Sequence, residues 1–310
     1  MPSVAEPTFL FRNEISPSYI EPLFLQMKPD IWLDTHDMKR MLHDSGLDIG
    51  GKDIVTNSKL VWSLLRIVDS RLEQQGRSTV RFVRLAPLGE YLHDTHSTNP
   101  DLFYDLFHYL FYSAWRRTQQ DRFTRFWLYA ACCDLAWQQA PTELATSKLT
   151  RQLQRECDAA FPKSHPSFSG RSVGGILPWL QVLSPPFLRQ SEKRNLLVSE
   201  RRRHCTPQLF HLALDLVYAA EGLQYGTAMA IGPQNQEAIC KVCLLDPDRF
   251  WAMAELTEMT IRGVELQRGQ WGSSLVLKSK PKWIDLPDYM ESDADNDTAD
   301  DESDEDEEDV

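Results

Sequence analysis

Long apolar runs, a secretory leader and catalytic motifs are all missing from this chain of 310 residues. No apolar stretch reaches the roughly 18–20 residues that a membrane-spanning helix needs. The opening MPSVAEPTFLFRNE has no basic segment followed by an apolar one, so it predicts no secretory signal. Six cysteines are too few for a disulfide framework in a chain of this length. We therefore expect reduced thiols, a cytoplasmic location and no contact with membranes.

The motifs that mark common enzyme classes are also missing. The sequence has no GxxxxGK[ST] phosphate loop, no HExxH zinc motif and no GxSxG turn before a plausible triad. The eight histidines include no pair with the spacing of metal ligands. We therefore expect a protein that is not an enzyme, with no catalytic residue, no cofactor and no bound metal. An enzyme with an unrecognised site stays open as a third hypothesis.

Two cysteines have the spacing of a metal or redox motif. Cys240 and Cys243 form a lone CxxC. With His204, Cys205 or His211 they would complete a tetrahedral zinc site, but only if the fold brought these residues together. Burial as structural thiols is the interpretation that we favour.

Basic residues are absent from the last segment, residues 291–310, which holds 13 acidic residues. The whole chain has a net charge of −12, but without this segment it has 32 acidic and 33 basic residues. The acidic pI of about 5.2 therefore does not exclude nucleic acid as a partner. The segment also lacks aromatic residues and is expected to be a disordered polyanion. It acts either as a solubility tail or as a nucleic-acid mimic that competes for a basic face or binds a basic partner.

The rest of the chain predicts a mainly α fold, with tandem winged-helix-like modules around an aromatic helical core and short β-hairpin wings. The apolar period and the turn residues indicate these elements in the first module. They are a helix over 34–45 capped by Asp34 or Thr35, a helix from 57 or 58 to about 75, a strand over 79–85, and a helix from 87.

This order of elements suggests DNA binding. In a winged helix-turn-helix, the second helix enters the major groove and the hairpin lies along the backbone. Our candidate contacts to duplex DNA in this module are Lys52, Lys59, Arg66, Arg77, Arg81 and Arg84. A structural or protein-binding winged helix with a solvated basic face is the alternative.

The segment DLFYDLFHYLFYSAWRR, residues 101–117, is the most apolar helix. A helix that is apolar nearly all round is usually buried, so we expect it in the core with His108 as a core histidine. If the protein is instead an adaptor, we expect an exposed aromatic patch around Tyr104, Tyr112 and Trp115.

Two further segments resemble winged-helix modules, although the sequence shows no internal repeat. One has a helix from about 147 to 160, then Arg171 and a helix interrupted at Pro178; its basic residues are Arg151, Arg155, Lys163 and Arg171. The other has helices from Thr206 and Pro247 and a hairpin over 261–278. Before it lies the densest basic cluster, Arg201, Arg202 and Arg203, which we predict to contact phosphate or the acidic tail. A solvated surface turn is the alternative.

These patterns divide the chain into four parts. The prediction is an N-terminal winged-helix-like module over 1–95, an aromatic helical core with a second helix-turn-helix-like unit over 96–195, a helical and β-hairpin module over 196–285, and the acidic tail over 286–310.

Three segments in this order, GGKDIVTNSKLVWSLLR, RLAPLGEYL, and NPDLFYDLFHYLFYSAW followed by FTRFWLYAACCDLAW, carry a family resemblance. They are similar to a prokaryotic family of unknown function that pairs a winged-helix segment with an aromatic helical region. Its members are encoded beside enzymes resembling phosphoadenosine-phosphosulfate (PAPS) reductases, in phosphorothioation-type and related anti-phage defence clusters. The resemblance covers about residues 8–190, carries no catalytic residue, and does not extend to the N-terminal opening or the acidic tail.

The resemblance and the basic helices together give two functional hypotheses. The first is a DNA-binding accessory component of a prokaryotic defence or DNA-modification system, with double-stranded DNA and subunits of that system as partners. The second is a protein–protein adaptor or scaffold subunit of such a complex without DNA contact. The sequence predicts neither the oligomeric state nor the DNA sequence that is recognised.

Overall fold

The computed structural model describes residues 9, 11, 15–46, 52–76, 78–163, 168–193, 196–269 and 272–286, with the backbone alone at 52 and 53. Within them the fold is mainly α, as predicted, with small antiparallel sheets around an aromatic helical core. The helices are α1 (Pro17–Gln26), α2 (Thr35–Asp44), α3 (Lys52–Leu64), α4 (Pro87–Thr98), α5 (Pro100–Thr118), α6 (Thr124–Gln139), α7 (Thr146–Ala160), α8 (Ile176–Val182), α9 (Pro207–Ala220), α10 (Pro233–Cys243) and α11 (Phe250–Thr260). The strands are β1 (Val68–Gln75), β2 (Ser78–Leu85), β3 (Thr142–Ala145), β4 (Leu188–Gln190), β5 (Leu196–Ser199), β6 (Ala228–Ala230), β7 (Val264–Gly269) and β8 (Gly272–Leu277).

One order of elements occurs three times: a helix, a short strand, two helices and a two-stranded hairpin. The second unit consists of α6, β3, α7, α8, β4 and β5, and the third unit of α9, β6, α10, α11, β7 and β8. In both, the first strand pairs with the last, so the sheet orders are β3-β5-β4 and β6-β8-β7. In the first unit (α1, α2, α3, β1 and β2), a bridge between Leu33 and Val83 replaces the first strand. The topology therefore repeats where the sequence does not.

The first unit shows where local sequence signals determine the elements and where they do not. Asp34 caps α2, because its side chain accepts a hydrogen bond from the backbone N–H of Asp37 at 2.8 Å. The prediction of one helix from 57 or 58 to 75 is wrong. The helix ends at Leu64, Arg66 takes the left-handed conformation at φ 55°, and residues 68–75 pair with β2.

Helix α5 lies at the centre of the molecule and packs against α4, α6, α8, α9 and α10. The ring of Phe107 lies 5.8 Å from Phe24 of the first unit and 5.1 Å from Trp179 of the second. His108 is fully buried between the hydroxyl of Tyr129 at 3.0 Å and the carbonyl of Val242 in the third unit at 2.8 Å. The prediction of a buried aromatic helix with a core histidine is confirmed.

The end of the described chain returns to α4, the helix that follows the first unit. After β8, the indole N–H of Trp283 donates to Nδ1 of His211 at 2.9 Å, and its ring lies 6.3 Å from Tyr91 of α4. One cluster of buried apolar side chains extends from Phe11 to Leu286. The division into modules stays a prediction, although a boundary after residue 195 would separate β4 from its partner β5. No helix in these described ranges is long and apolar enough to cross a membrane.

Candidate nucleic-acid interface

One of the predicted basic residues of the first unit, Lys59, connects three of its elements. Lys59 is half-buried, and its ammonium donates to the hydroxyl of Thr35 at 2.8 Å and to the carbonyl of Arg81 at 3.4 Å. It therefore links α3 to α2 and to β2. Arg66 and Arg81 are also half-buried, and each has an interaction partner. The side chain of Lys52 and all of Arg77 lie outside the described residues.

Arg84 takes part in a stacked arrangement on the outer face of the hairpin. Its guanidinium lies 3.2 Å from the carboxylate of Asp69 and 4.9 Å from the ring centre of Trp32. Arg71 lies 4.2 Å from the centre of the same ring and pairs with Glu73 at 2.7 Å. Because carboxylates neutralise both guanidinium groups, this face presents little net positive charge to a polyanion.

The triple-arginine cluster is not one basic surface. Arg202 is fully buried, lies 2.8 Å from the equally buried carboxylate of Asp105, and donates to the carbonyl of Ser184 at 2.6 Å. The prediction that Arg202 contacts nucleic acid is therefore wrong, because the folded protein gives solvent no access to it. The half-buried Arg201 stacks over Trp137 at 4.4 Å, and Arg203 is exposed.

The second unit carries a row of exposed bases on one helix. Lys148, Arg151 and Arg155 are exposed on α7 at spacings of three and four residues, so they share one face of the helix. The buried positions of α7, Leu149, Leu153 and Cys157 among them, lie on the opposite face. Sequence analysis named Arg151 and Arg155 but missed Lys148. The three-and-four spacing of bases against the apolar positions was the available signal.

A concave surface of 690 Å³ lies beside these bases, where the start of α7, α8 and the β4–β5 hairpin meet. It is lined by Ala145, Thr146, Ser147, Gly174, Leu177, Pro178, Gln181, Gln190, Leu196 and Leu197. None of these residues is acidic. The predicted contact Arg171 is exposed in the loop that leads to this surface.

A larger cleft of 1180 Å³ separates α6 from α9 and α10, with the end of α5 as its floor. Four carboxylates line it together with the bases: Asp134, Glu156, Glu221 and Glu237. On the floor, the hydroxyl of Tyr112 donates to Asp134 at 2.6 Å, and Arg116 pairs with the same carboxylate at 2.5 Å. Burial raises the pKa values of both Tyr112 and Asp134. The mixed charges make this cleft unsuitable for a polyanion.

The aromatic patch expected of an adaptor is not where the sequence placed it. The ring of Tyr112 is only 1% exposed, and Tyr104 and Trp115 are half-buried. Larger apolar exposure occurs on α11 of the third unit, where Leu256 is 43% and Met259 is 85% exposed. The aromatic residues of α5 therefore belong to the core and to the cleft.

The CxxC cysteines are buried free thiols, as predicted. Burial, the largest cause, raises the pKa of Cys240 to about 12, so this thiol stays protonated at neutral pH. His211 is turned towards Trp283, and His204 is exposed. In the part of the chain that the structure describes, no three histidine, cysteine or acidic side chains are arranged to hold a metal ion.

No family model matches the chain, and no curated protein sequence matches it. Among solved structures, the fold is similar to the crystal structure of a protein named SspB, with a TM-score of 0.58. The similarity covers 88% of this chain and 84% of that chain, at 13% sequence identity. At this identity the likeness establishes a shared fold over most of both chains and nothing about activity.

Proposed function

We propose that this protein is a DNA-binding accessory component of a prokaryotic defence or DNA-modification system. The observation that carries the proposal is the repeated order of helix, strand, helix, helix and hairpin. The first strand is bound to the last in the second and third units, and the Leu33–Val83 bridge takes its place in the first. This is the order of elements in a winged helix-turn-helix, whose recognition helix fits the major groove while the hairpin contacts the backbone. The defence or modification setting comes from the family that the sequence resembles.

The distribution of charge supports the same proposal. Exposed bases lie beside the concave, acid-free surface of the second unit, and phosphate contacts of this kind supply most of the non-specific affinity for DNA. On the hairpin of the first unit, by contrast, Arg71 and Arg84 are each paired with a carboxylate.

The test is binding of the full chain to a labelled duplex by fluorescence anisotropy, titrated from about 50 to 200 mM salt. We expect binding at low salt that weakens steeply as salt rises, because bound cations release counterions from the phosphates. Absence of binding at the lowest salt would overturn the proposal.

One observation favours the adaptor as a second candidate. Helix α11 occupies the place of the recognition helix in the third unit, but it carries Glu255 and Glu258 and no base. Its exposed Leu256 and Met259 suit a protein surface better than phosphate. Co-expression with the PAPS-reductase-like protein encoded beside this family tests the idea. We expect co-purification that is lost in the Leu256→Glu/Met259→Glu variant, and retention by that variant would exclude α11 as the docking face.

A further inference from the structure

The exposed bases of α7 and Arg171 have no acidic partner, unlike Arg71 and Arg84 of the first unit and Arg189 and Lys193 of the β4–β5 hairpin. Lys148, Arg155 and Arg171 make no ion pair with any described residue, and Arg151 donates only to the carbonyl of Ser147 on its own helix, at 3.3 Å. An unpaired cation at the surface is available to a phosphate without first losing a carboxylate partner.

Three of the four bases share one face of α7, and the fourth, Arg171, follows a segment that packs against the same helix. The chain at Gly170 runs past α7, because a methyl group placed on this glycine would lie 4.0 Å from the side chains of both Thr146 and Thr150. Upstream, the backbone N–H of Phe168 donates to Gln154 of α7 at 3.3 Å. Arg171 therefore follows directly on a segment that is packed along α7. Of the two acidic residues of α7, Glu156 lines the cleft, and Asp158, which lies on the basic face three residues after Arg155, accepts from Gln154.

The helix beside the concave surface has few groups that can read bases. The outward-facing residues of α8 are Leu177, Pro178, Gln181 and Val182, and all are half-buried. Only the amide of Gln181 can form the paired hydrogen bonds that distinguish one base from another. Helix α8 therefore offers little for recognising a base sequence.

We propose that Lys148, Arg151, Arg155 and Arg171 of the second unit form the surface that binds the phosphate backbone of duplex DNA, independently of base sequence. This inference rests on the proposed DNA-binding function and assigns it to the second unit in place of the first. Four phosphate contacts give a slope of log affinity against log salt of about −3.6, which is a loss of about 150-fold between 50 and 200 mM salt.

The test compares the full chain with the Lys148→Gln/Arg151→Gln/Arg155→Gln variant on two duplexes of unrelated sequence. We expect wild-type protein to bind both duplexes with similar affinity. In the variant, the slope of log affinity against log salt should be reduced to about −0.9, because one phosphate contact remains. All three side chains are exposed, so stability should change little. The matched control is Arg262→Gln/Arg268→Gln/Lys278→Gln, which removes three exposed bases of the third unit and should keep the wild-type slope.

A further variant, Arg40→Gln/Arg71→Gln/Arg84→Gln, tests the first unit with the same loss of charge. Wild-type protein that does not bind DNA at all refutes the proposed function. If the α7 variant binds with an unchanged slope of log affinity against log salt, this surface alone is refuted. A loss confined to the first-unit variant moves the site to that unit. A large preference for one duplex sequence also overturns the inference.

Discussion

The buried ion pair between Arg202 and Asp105 provides a quantitative test of the fold. Both side chains are fully excluded from solvent, and the guanidinium and carboxylate lie 2.8 Å apart. Asp105 also accepts two hydrogen bonds from Thr206, one from its backbone N–H and one from its hydroxyl, each at 2.9 Å. The pair therefore connects α5 to the start of α9 in the third unit.

Replacing Arg202 with methionine removes the cation and leaves a buried carboxylate with only the two donors of Thr206. Removing one partner of a buried pair costs about 3–5 kcal/mol in the free energy of unfolding. The Asp105→Asn variant leaves the buried guanidinium of Arg202 with the carbonyl of Ser184 as its acceptor. It should lower the free energy of unfolding by a similar amount. The double variant contains no buried charge, and the amide oxygen still accepts from Thr206. We expect it to be more stable than either single variant.

The assay is urea denaturation at neutral pH, followed by tryptophan fluorescence and far-UV circular dichroism. Arg203→Met is the matched control, because this neighbouring side chain is exposed and should change stability by no more than about 0.5 kcal/mol. An Arg202→Met protein within about 1 kcal/mol of wild type would refute the reasoning, since an uncompensated buried carboxylate is expected to cost more. A double variant as unstable as the sum of the singles would equally show that the two charges do not interact.

Four further predictions concern other parts of the molecule. Gly89→Ala should destabilise the protein by about 1–3 kcal/mol in thermal or urea unfolding, despite the better helix propensity of alanine, because its Cβ would lie 2.2 Å from the carbonyl of Ile67. Burial lowers the pKa of His108 to about 4. As the pH falls from 6.5 to 4, the unfolded chain therefore takes up a proton before the folded protein does, and the free energy of unfolding should fall by up to about 3 kcal/mol. The His108→Gln variant should show a flatter pH profile over this range. Cys240 should react with a thiol reagent only after unfolding, because burial raises its pKa to about 12, and rapid labelling of the native protein would contradict this. Removing residues 291–310 should strengthen binding to duplex DNA at low salt, since the 13 acids that produce the net negative charge are lost, and unchanged affinity would leave the segment with a solubility role.

The sequence was informative where one local signal dominates. Asp34 caps α2, Thr206 caps α9 through its hydroxyl at 3.3 Å from the N–H of Leu209, and Gly269 and Gly272 bound the last turn. It failed at β1, because the apolar positions around Leu60 to Val68 fit a helix and the left-handed turn at Arg66 has no glycine to signal it.

The candidate site was harder to predict than the fold. Whether a charged side chain is exposed and unpaired depends on residues that are far away in the sequence. Arg202 and Arg203 are adjacent and chemically identical, yet one is buried against Asp105 from another helix and the other is exposed. Arg84 is neutralised by Asp69, which was predicted to lie on a helix and lies on the paired strand. The bases of α7 were visible as a helical stripe, but their lack of acidic partners is a property of the folded molecule.

The pairing of the first strand with the last in the second and third units, which the Leu33–Val83 bridge replaces in the first, has an evolutionary consequence. This pairing fixes the hairpin beside the helices through backbone hydrogen bonds, so it makes few demands on side chains at the outer face. Three copies of one topology can therefore diverge separately, as the uncharged α8 and the acidic α11 illustrate. A lineage that needs a new partner can change the outer residues of one copy while the other two keep their present contacts.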